Sequence, residues 1–560
     1  MDPVTTVVWV VAFVLVTVIV TGFTGRIGWS APVALVAVGA VVSFIPAVPR
    51  VEIEPELVLY AVIPPLLFAA AIRTSFIDIR ARDDSILALS VGLVAFTVVV
   101  VGFATWMLVP AITLAAAFAF GAVVAPTDAV AVSAVAGRLK LPRRLVTILE
   151  GESLLNDATA LVALNAAIMA IVSVTVLNPL AIAGNFALAV IGGVVVGLAI
   201  GYGLSEVRKR LRAPVLDTSL SLITPYLAFI IAQAIGGSGV LAVVVAGILL
   251  GYRSPTVQSA EARIAERLNW KTIQFLLENA VFLFIGLNLA GIVEGASTAG
   301  PGLWETIGIC IAILLTLIVS RFAWVFMLTW LYRHGPGFLR ARQWSWRNAT
   351  AVSSAGIRGV VTLIAVFLLP PETPQREFLQ FLAFVVVVGT LLEGLALPTI
   401  LRLLKLPTPD YSQEHAERML LMAEAEDAGV ARLEEERTDD DELEVIDRLR
   451  ANAAFLAEAL QNPPTTGAEP RPVAYTRLRR VMIEAQREAV LNARREGRYQ
   501  EAAVLSVLAA IDAEETALRT AGPKTKPAAL PSASAKKAKR TATAKAARPA
   551  RAKRSRTTPE

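Results

Sequence analysis

Long apolar runs follow one another down to about residue 405, divided by short segments where charges, prolines and glycines gather. Thirteen of them approach or exceed the length needed to cross about 30 Å of hydrocarbon at about 1.5 Å per helical residue. They cover residues 4–22, 31–46, 55–72, 85–107, 111–137, 149–174, 179–204, 216–236, 238–252, 272–291, 304–332, 346–369 and 377–404. The ninth is short, and the eighth and ninth read either as two spans or as one broken unit. The first follows Met1-Asp2-Pro3 without the basic flank of a secretory signal, so it reads as a retained helix. The pattern predicts an all-α polytopic membrane protein of about thirteen transmembrane helices. With 55% apolar residues among 560 and a mean hydropathy of +0.62, the composition is too oily for a soluble multidomain chain.

Charges in the loops set an orientation. Alternate loops carry twenty arginines and lysines, among them Arg73, Arg80, Arg82, Arg144, Arg208 and Arg253, whereas the opposite loops carry only Arg50 and Arg376. Basic loops stay in the cytoplasm, which places the N-terminus outside and the C-terminus inside, and an odd number of spans satisfies every loop. The single cysteine, Cys310, lies inside an apolar run, and His334 and His415 have no cluster around them. A disulfide framework or a zinc site is therefore not expected.

The composition changes near residue 406, dividing the chain into a membrane domain (1–405), a cytoplasmic helical region (406–522) and a tail (523–560). The middle part is charge-rich, with Leu420, Val445, Leu449, Leu456 and Leu460 at helical spacing. The tail holds twelve basic residues and one acid and has too few apolar side chains for a core, so disorder is expected. The chain's net charge of +6 belongs to that tail, since the preceding 522 residues carry net −5. Such a tail suits anionic lipid headgroups or nucleic acid, or serves as a solvated tether.

Several charges fall inside the runs, where they are costly and mark ion pathways or paired structure. Asp128 lies about 14 Å from the nearer face if its run ends near Gly137; Asp157 lies about 12 Å deep if its run starts near Leu149; Arg358 lies about 15 Å deep. Three ionisable groups from separate runs thus meet near the midplane. On the sixth run Ser153 and Asp157, and Glu152 and Asn156, are four apart, giving a polar stripe of oxygen ligands suited to a hard monovalent cation. Ser153 and Asn156 would equally serve as interhelical hydrogen-bonding groups. Pro126 and the pair Gly356 and Gly359 lie beside Asp128 and Arg358, so an interrupted helix is expected in each half of the chain, as in an inverted repeat. Glu278 lies only about 9 Å deep and reads as hydrated; Glu393 and Arg321 lie at comparable depth and suit an ion pair. If Glu152 pairs with Arg358, Asp128 and Asp157 keep no protein cation and must take up a proton or bind a metal cation.

Ala125-Pro126-Thr127-Asp128, Glu150-Gly151-Glu152-Ser153-Leu154-Leu155-Asn156-Asp157 and Gly356-Ile357-Arg358-Gly359-Val360-Val361-Thr362-Leu363 together resemble the monovalent cation:proton antiporter-1 family, including its NhaP-type sodium/proton antiporters. Pro64-Pro65-Leu66-Leu67-Phe68 and Phe284-Ile285-Gly286-Leu287 are similar to that family as well, and the resemblance covers about residues 4–405. It implies two inverted six-helix repeats joined by the seventh helix, and a homodimer. It also implies that Asp157 alternately carries proton and cation, that Asp128, Thr127 and Ser153 complete the site, and that Asn156 belongs to an Asn-Asp pair linked to electroneutral exchange. Glu152 and Arg358 match the family's buried ion pair. Many NhaP-type members have a glutamate where this chain has Ala69.

The sequence reading is therefore a plasma-membrane antiporter, bacterial by its Ala- and Val-rich composition, that is not an enzyme. It needs no cofactor and exchanges protons for sodium, or for potassium or lithium. A potassium-selective antiporter, or an uncoupled cation channel or sensor with a regulatory tail, remains the alternative; no ring of acids favours a channel.

Overall fold

The computed structural model describes residues 3–27, 29–46, 48, 58–128, 142–172, 179–211, 213–299, 301–336, 344–406, 411–436, 442–451, 471–496 and 501–521. Every described element is helical, and the chain divides into two compact units, Met1–Pro409 and Asp410–Glu560.

The first unit is a bundle of helices α1 (Pro3–Ile27), α2 (Ala31–Ser43), α3 (Ile63–Ala71), α4 (Leu93–Leu108), α5 (Leu114–Val124), α6 (Arg143–Val172), α7 (Pro179–Arg208) and α8 (Pro214–Ala234). It continues with α9 (Gly239–Val257), α10 (Ala260–Leu287), α11 (Leu289–Ala299), α12 (Leu303–His334), α13 (Trp346–Ser354), α14 (Val360–Ala365) and α15 (Arg376–Leu403). Each of the thirteen apolar runs falls on these helices, the eighth and ninth as separate helices, α8 and α9, and the twelfth divided between α13 and α14. Among the described residues nine helices are long and apolar enough to cross a membrane, and α2, 59–71 and α5 are shorter apolar helices. The chain is a multi-span membrane protein. Residues 129–137 of the fifth run and the tail at 523–560 lie outside the described residues.

Helix ends follow local chemistry. Thr113, Ser238, Ser259 and Ser345 sit just before α5, α9, α10 and α13, and each side-chain oxygen accepts from the backbone N–H three residues on. Within the spans, threonine hydroxyls donate to the carbonyl four residues back, as from Thr105 to Val101 (2.8 Å) and from Thr329 to Val325 (2.7 Å). Backbones approach closely where glycines face each other: α2 lies on α10 with Gly39 against Gly286, and a Cβ on Gly39 would sit 2.5 Å from the Leu283 carbonyl oxygen. Small residues at such a contact let two membrane helices gain dispersion energy along their length.

The second unit contains α16 (Tyr411–Glu436), a stretch at 443–451, α17 (Arg471–Arg495) and α18 (Glu501–Ala521). α17 and α18 pack through Ile483, Val504 and Ile511 and carry ion pairs from Arg479 to Glu514 (2.5 Å) and from Arg487 to Asp512 and Glu515 (both 2.6 Å). These pairs are partly exposed to solvent and contribute little each.

Replacing Gly286 by leucine forces α2 off α10. Overpacking of this kind costs about 1–3 kcal/mol, so the unfolding midpoint of the purified protein in detergent falls by several degrees. An unchanged midpoint would show that the Gly39–Gly286 contact is not tight.

Candidate cation and proton site

α5 stops at Val124 because Pro126 has no N–H to continue it, and residues 125–128 run on without helical hydrogen bonding. Elsewhere in the bundle α13 stops at Ser354, residues 356–359 are non-helical, and α14 begins at Val360. The two breaks cross. The Asp128 N–H donates to the Ile357 carbonyl at 2.8 Å, a backbone bond between the two non-helical segments.

Arg358 stitches the crossing together. Its Nε donates to the Val124 carbonyl at 3.0 Å, Nη2 to the Ala125 carbonyl at 3.5 Å, and Nη1 to the Gly356 carbonyl. Its own N–H donates to Thr390 Oγ1 on α15 at 3.0 Å. The last carbonyls of a helix lack partners and carry the negative end of its dipole, so a guanidinium there satisfies both needs. Gly359 is fixed by the same geometry: a Cβ at that position would fall on the Asp128 carboxylate.

The buried ion pair differs from the one read in the sequence. Glu152 pairs with Arg321 of α12, whose Nη1 and Nη2 donate to the two carboxylate oxygens at 2.6 and 3.2 Å. Arg358 makes no ion pair with Glu152, because its guanidinium is spent on backbone carbonyls. Arg321 also donates to the Val352 carbonyl near the end of α13 (3.0 Å from Nη2), and so does not join Glu393. Glu152 Oε1 in turn accepts from the Thr127 hydroxyl at 3.1 Å, and Thr127 Oγ1 accepts from Asn156 Nδ2 at 2.9 Å. Arg321, Glu152, Thr127 and Asn156 form one chain of hydrogen bonds, all buried, which fixes the α5 break against α6.

In front of this chain lies a polar cavity of about 560 Å³, lined by Thr127, Asp128, Ser153 and Asp157, four of the five residues predicted to hold the ion. Asn156 stands behind it, holding Thr127, and its Oδ1 is buried without a hydrogen-bond partner. Ser153 and Asp157 project from the same face of α6 and are partly exposed to the cavity, as is Asp128. Among the described residues no hydrogen bond or ion pair engages Asp157. Ala69 is fully buried, and α3 presents Leu66, Leu67 and Ala70 to the cavity.

Glu278 of α10, read from its depth as a hydrated residue, lines the same cavity as Asp157 and Asp128. Its Oε1 accepts from Gln274 Nε2 at 2.7 Å, and Gln274 Oε1 accepts from Arg73 Nη1 at 2.8 Å. Arg73, Lys271 and the exposed Glu150 form the mouth, on the side of the basic loops. Depth along one helix could not reveal that α10 turns this carboxylate toward α6. A cavity with carboxylates from three elements thus lies beside the two backbone breaks of a multi-span membrane protein.

Comparison with known proteins agrees. The chain belongs to the family described as sodium/hydrogen exchanger, transmembrane, whose model matches residues 11–403. This is a transporter family rather than an enzyme family. An uncharacterized Na(+)/H(+) exchanger of Mycobacterium bovis is 32% identical over 526 residues, 91% of this chain and 95% of that protein. The sodium, potassium, lithium and rubidium/H(+) antiporter of Bacillus subtilis is 33% identical over 406 residues, covering 69% of this chain and 60% of its own length. The fold is that of the sodium proton antiporter MjNhaP1 from Methanocaldococcus jannaschii, with a TM-score of 0.58 at 17% identity over 72% of this chain and 100% of that one.

Breaking a buried pair by removing one partner costs about 3–5 kcal/mol. In a double-mutant cycle read by unfolding free energy, Glu152→Gln with Arg321→Met therefore falls short of additivity by about 1–3 kcal/mol. The same cycle between Glu152 and Arg358→Met gives a smaller coupling. The reverse ranking would restore Arg358 as the partner.

Proposed function

We propose that the chain is a secondary active antiporter that exchanges protons for sodium, and for potassium or lithium, with Asp157 as the group the two ions compete for. Cation/proton antiport is the activity its family membership supports. The observation that carries the finer reading is the setting of Asp157: it projects from a continuous helix into a polar cavity, with no ion pair or hydrogen bond among the described residues to hold it charged. A carboxylate so placed must be neutralised by a proton or by a metal cation.

Asp128, Ser153 and Thr127 would supply the remaining oxygens, and Asn156 holds Thr127 in place from behind the cavity. Asp157 charged and empty crosses poorly, whereas the protonated or cation-loaded form crosses readily; coupling then requires no separate gate. Arg321 and Arg358 are both committed to structural partners, so neither competes with the ion. The printed name of the Bacillus subtilis relative includes four cations, which supports a site that accepts more than sodium.

On this reading the protein works in a bacterial plasma membrane as a homodimer. Its N-terminus is outside, its C-terminus is cytoplasmic, and the cavity opens on the basic-loop side toward the cytoplasm. The basic tail at 523–560 would contact anionic headgroups or nucleic acid.

In everted vesicles, Asp157→Asn abolishes cation-dependent proton movement and Asp128→Asn lowers it by at least tenfold. Full activity in Asp157→Asn would refute the assignment. Labelled sodium moving without proton counter-flow would mark a channel instead.

A further inference from the structure

Thr362 stands in the first turn of α14, three residues after the N-cap Gly359. Several buried threonines elsewhere in the bundle satisfy the hydroxyl on their own helix: Thr17 donates to the Phe13 carbonyl at 2.8 Å, and Thr224 to Leu220 at 2.7 Å. The equivalent acceptor for Thr362 is the carbonyl of Arg358. That residue lies in the non-helical segment 356–359, ahead of the first turn of α14. Among the described residues the Thr362 hydroxyl has no hydrogen-bond partner, although the residue is only 1% exposed.

Its location gives the orphaned oxygen a use. Thr362 lines the same polar cavity as Asp157 and Asp128, from the opposite side of the helix crossing, and Gly359 lies against the Asp128 carboxylate. A buried hydroxyl without a partner is destabilising, and a bound cation would satisfy it through one lone pair.

We propose that the Thr362 hydroxyl is a ligand of the transported monovalent cation, joining α14 to a site otherwise built from α6 and the break after α5. The inference rests on the antiport reading and extends it to a residue of the second broken helix. A neutral oxygen adds affinity for a metal ion but offers nothing to a proton bound on Asp157. Thr362 thus biases the competition toward the cation and, through the distance it sets across the cavity, tunes which cation fits.

The test uses the full-length protein in proteoliposomes, with sodium, lithium and potassium as probes. Thr362→Val, which keeps the volume and branching, raises the cation KM by about tenfold with little change in maximal rate; Thr362→Ser stays near the native value. An unchanged KM in Thr362→Val overturns the proposal. If Thr362→Val transports nothing, Thr362→Ser decides: native-like KM upholds the ligand role, and equal inactivity overturns it. Should the native protein itself move no protons in response to cations, the antiport reading fails. The rise in unfolding temperature on adding sodium then judges Thr362 by itself. A rise present in Thr362→Ser and absent in Thr362→Val supports it, and equal rises overturn it.

Discussion

Two interrupted helices cross inside the bundle, and the guanidinium of Arg358 makes that crossing possible. Unpaired backbone at membrane depth costs several kcal/mol per group and survives only where other groups satisfy it. Arg358 donates to carbonyls on both sides of the break, Val124 and Ala125 on one and Gly356 on the other, and the Asp128 N–H closes the contact on Ile357. Everything at the site inherits its position from this knot: Asp128 directly, Thr127 through the next residue, and Thr362 because α14 must restart after Gly359.

The two buried arginines divide the work. Arg321 neutralises Glu152, which then orients Thr127 and, through it, Asn156. Arg358 neutralises helix ends rather than a side chain. The carboxylates lining the cavity are those of Asp157, Asp128, Glu278 and Glu150, the last beside Arg73 and Lys271 at the mouth. A buried ion pair is a poor source of net stability but a good source of fixed geometry, and here it fixes the α5 break against α6.

The spans were legible because a hydrocarbon core imposes a minimum length of apolar chain, and the breaks because Pro126, Gly356 and Gly359 have backbone consequences visible in one letter. Asp128 and Asp157 were legible because charge at depth is rarely accidental. What the sequence could not convey is azimuth. Arg321 and Arg358 both lie near mid-depth, and only packing decides that the first faces Glu152 while the second faces the end of α5. Glu278 was passed over for the same reason, since a depth of about 9 Å says nothing of the direction it faces. Thr362 gave no signal at all, because most threonines in an apolar helix are satisfied by their own backbone.

The central claim is that a proton and a metal cation exclude one another from a single carboxylate at this crossing. The direct measurement is sodium binding to the purified protein across a pH series, in weakly buffered solution with a pH indicator. The account predicts that sodium releases protons and that its apparent affinity weakens by about tenfold for each pH unit on the acid side of the site's titration. Sodium affinity independent of pH, with no proton released on binding, would contradict it.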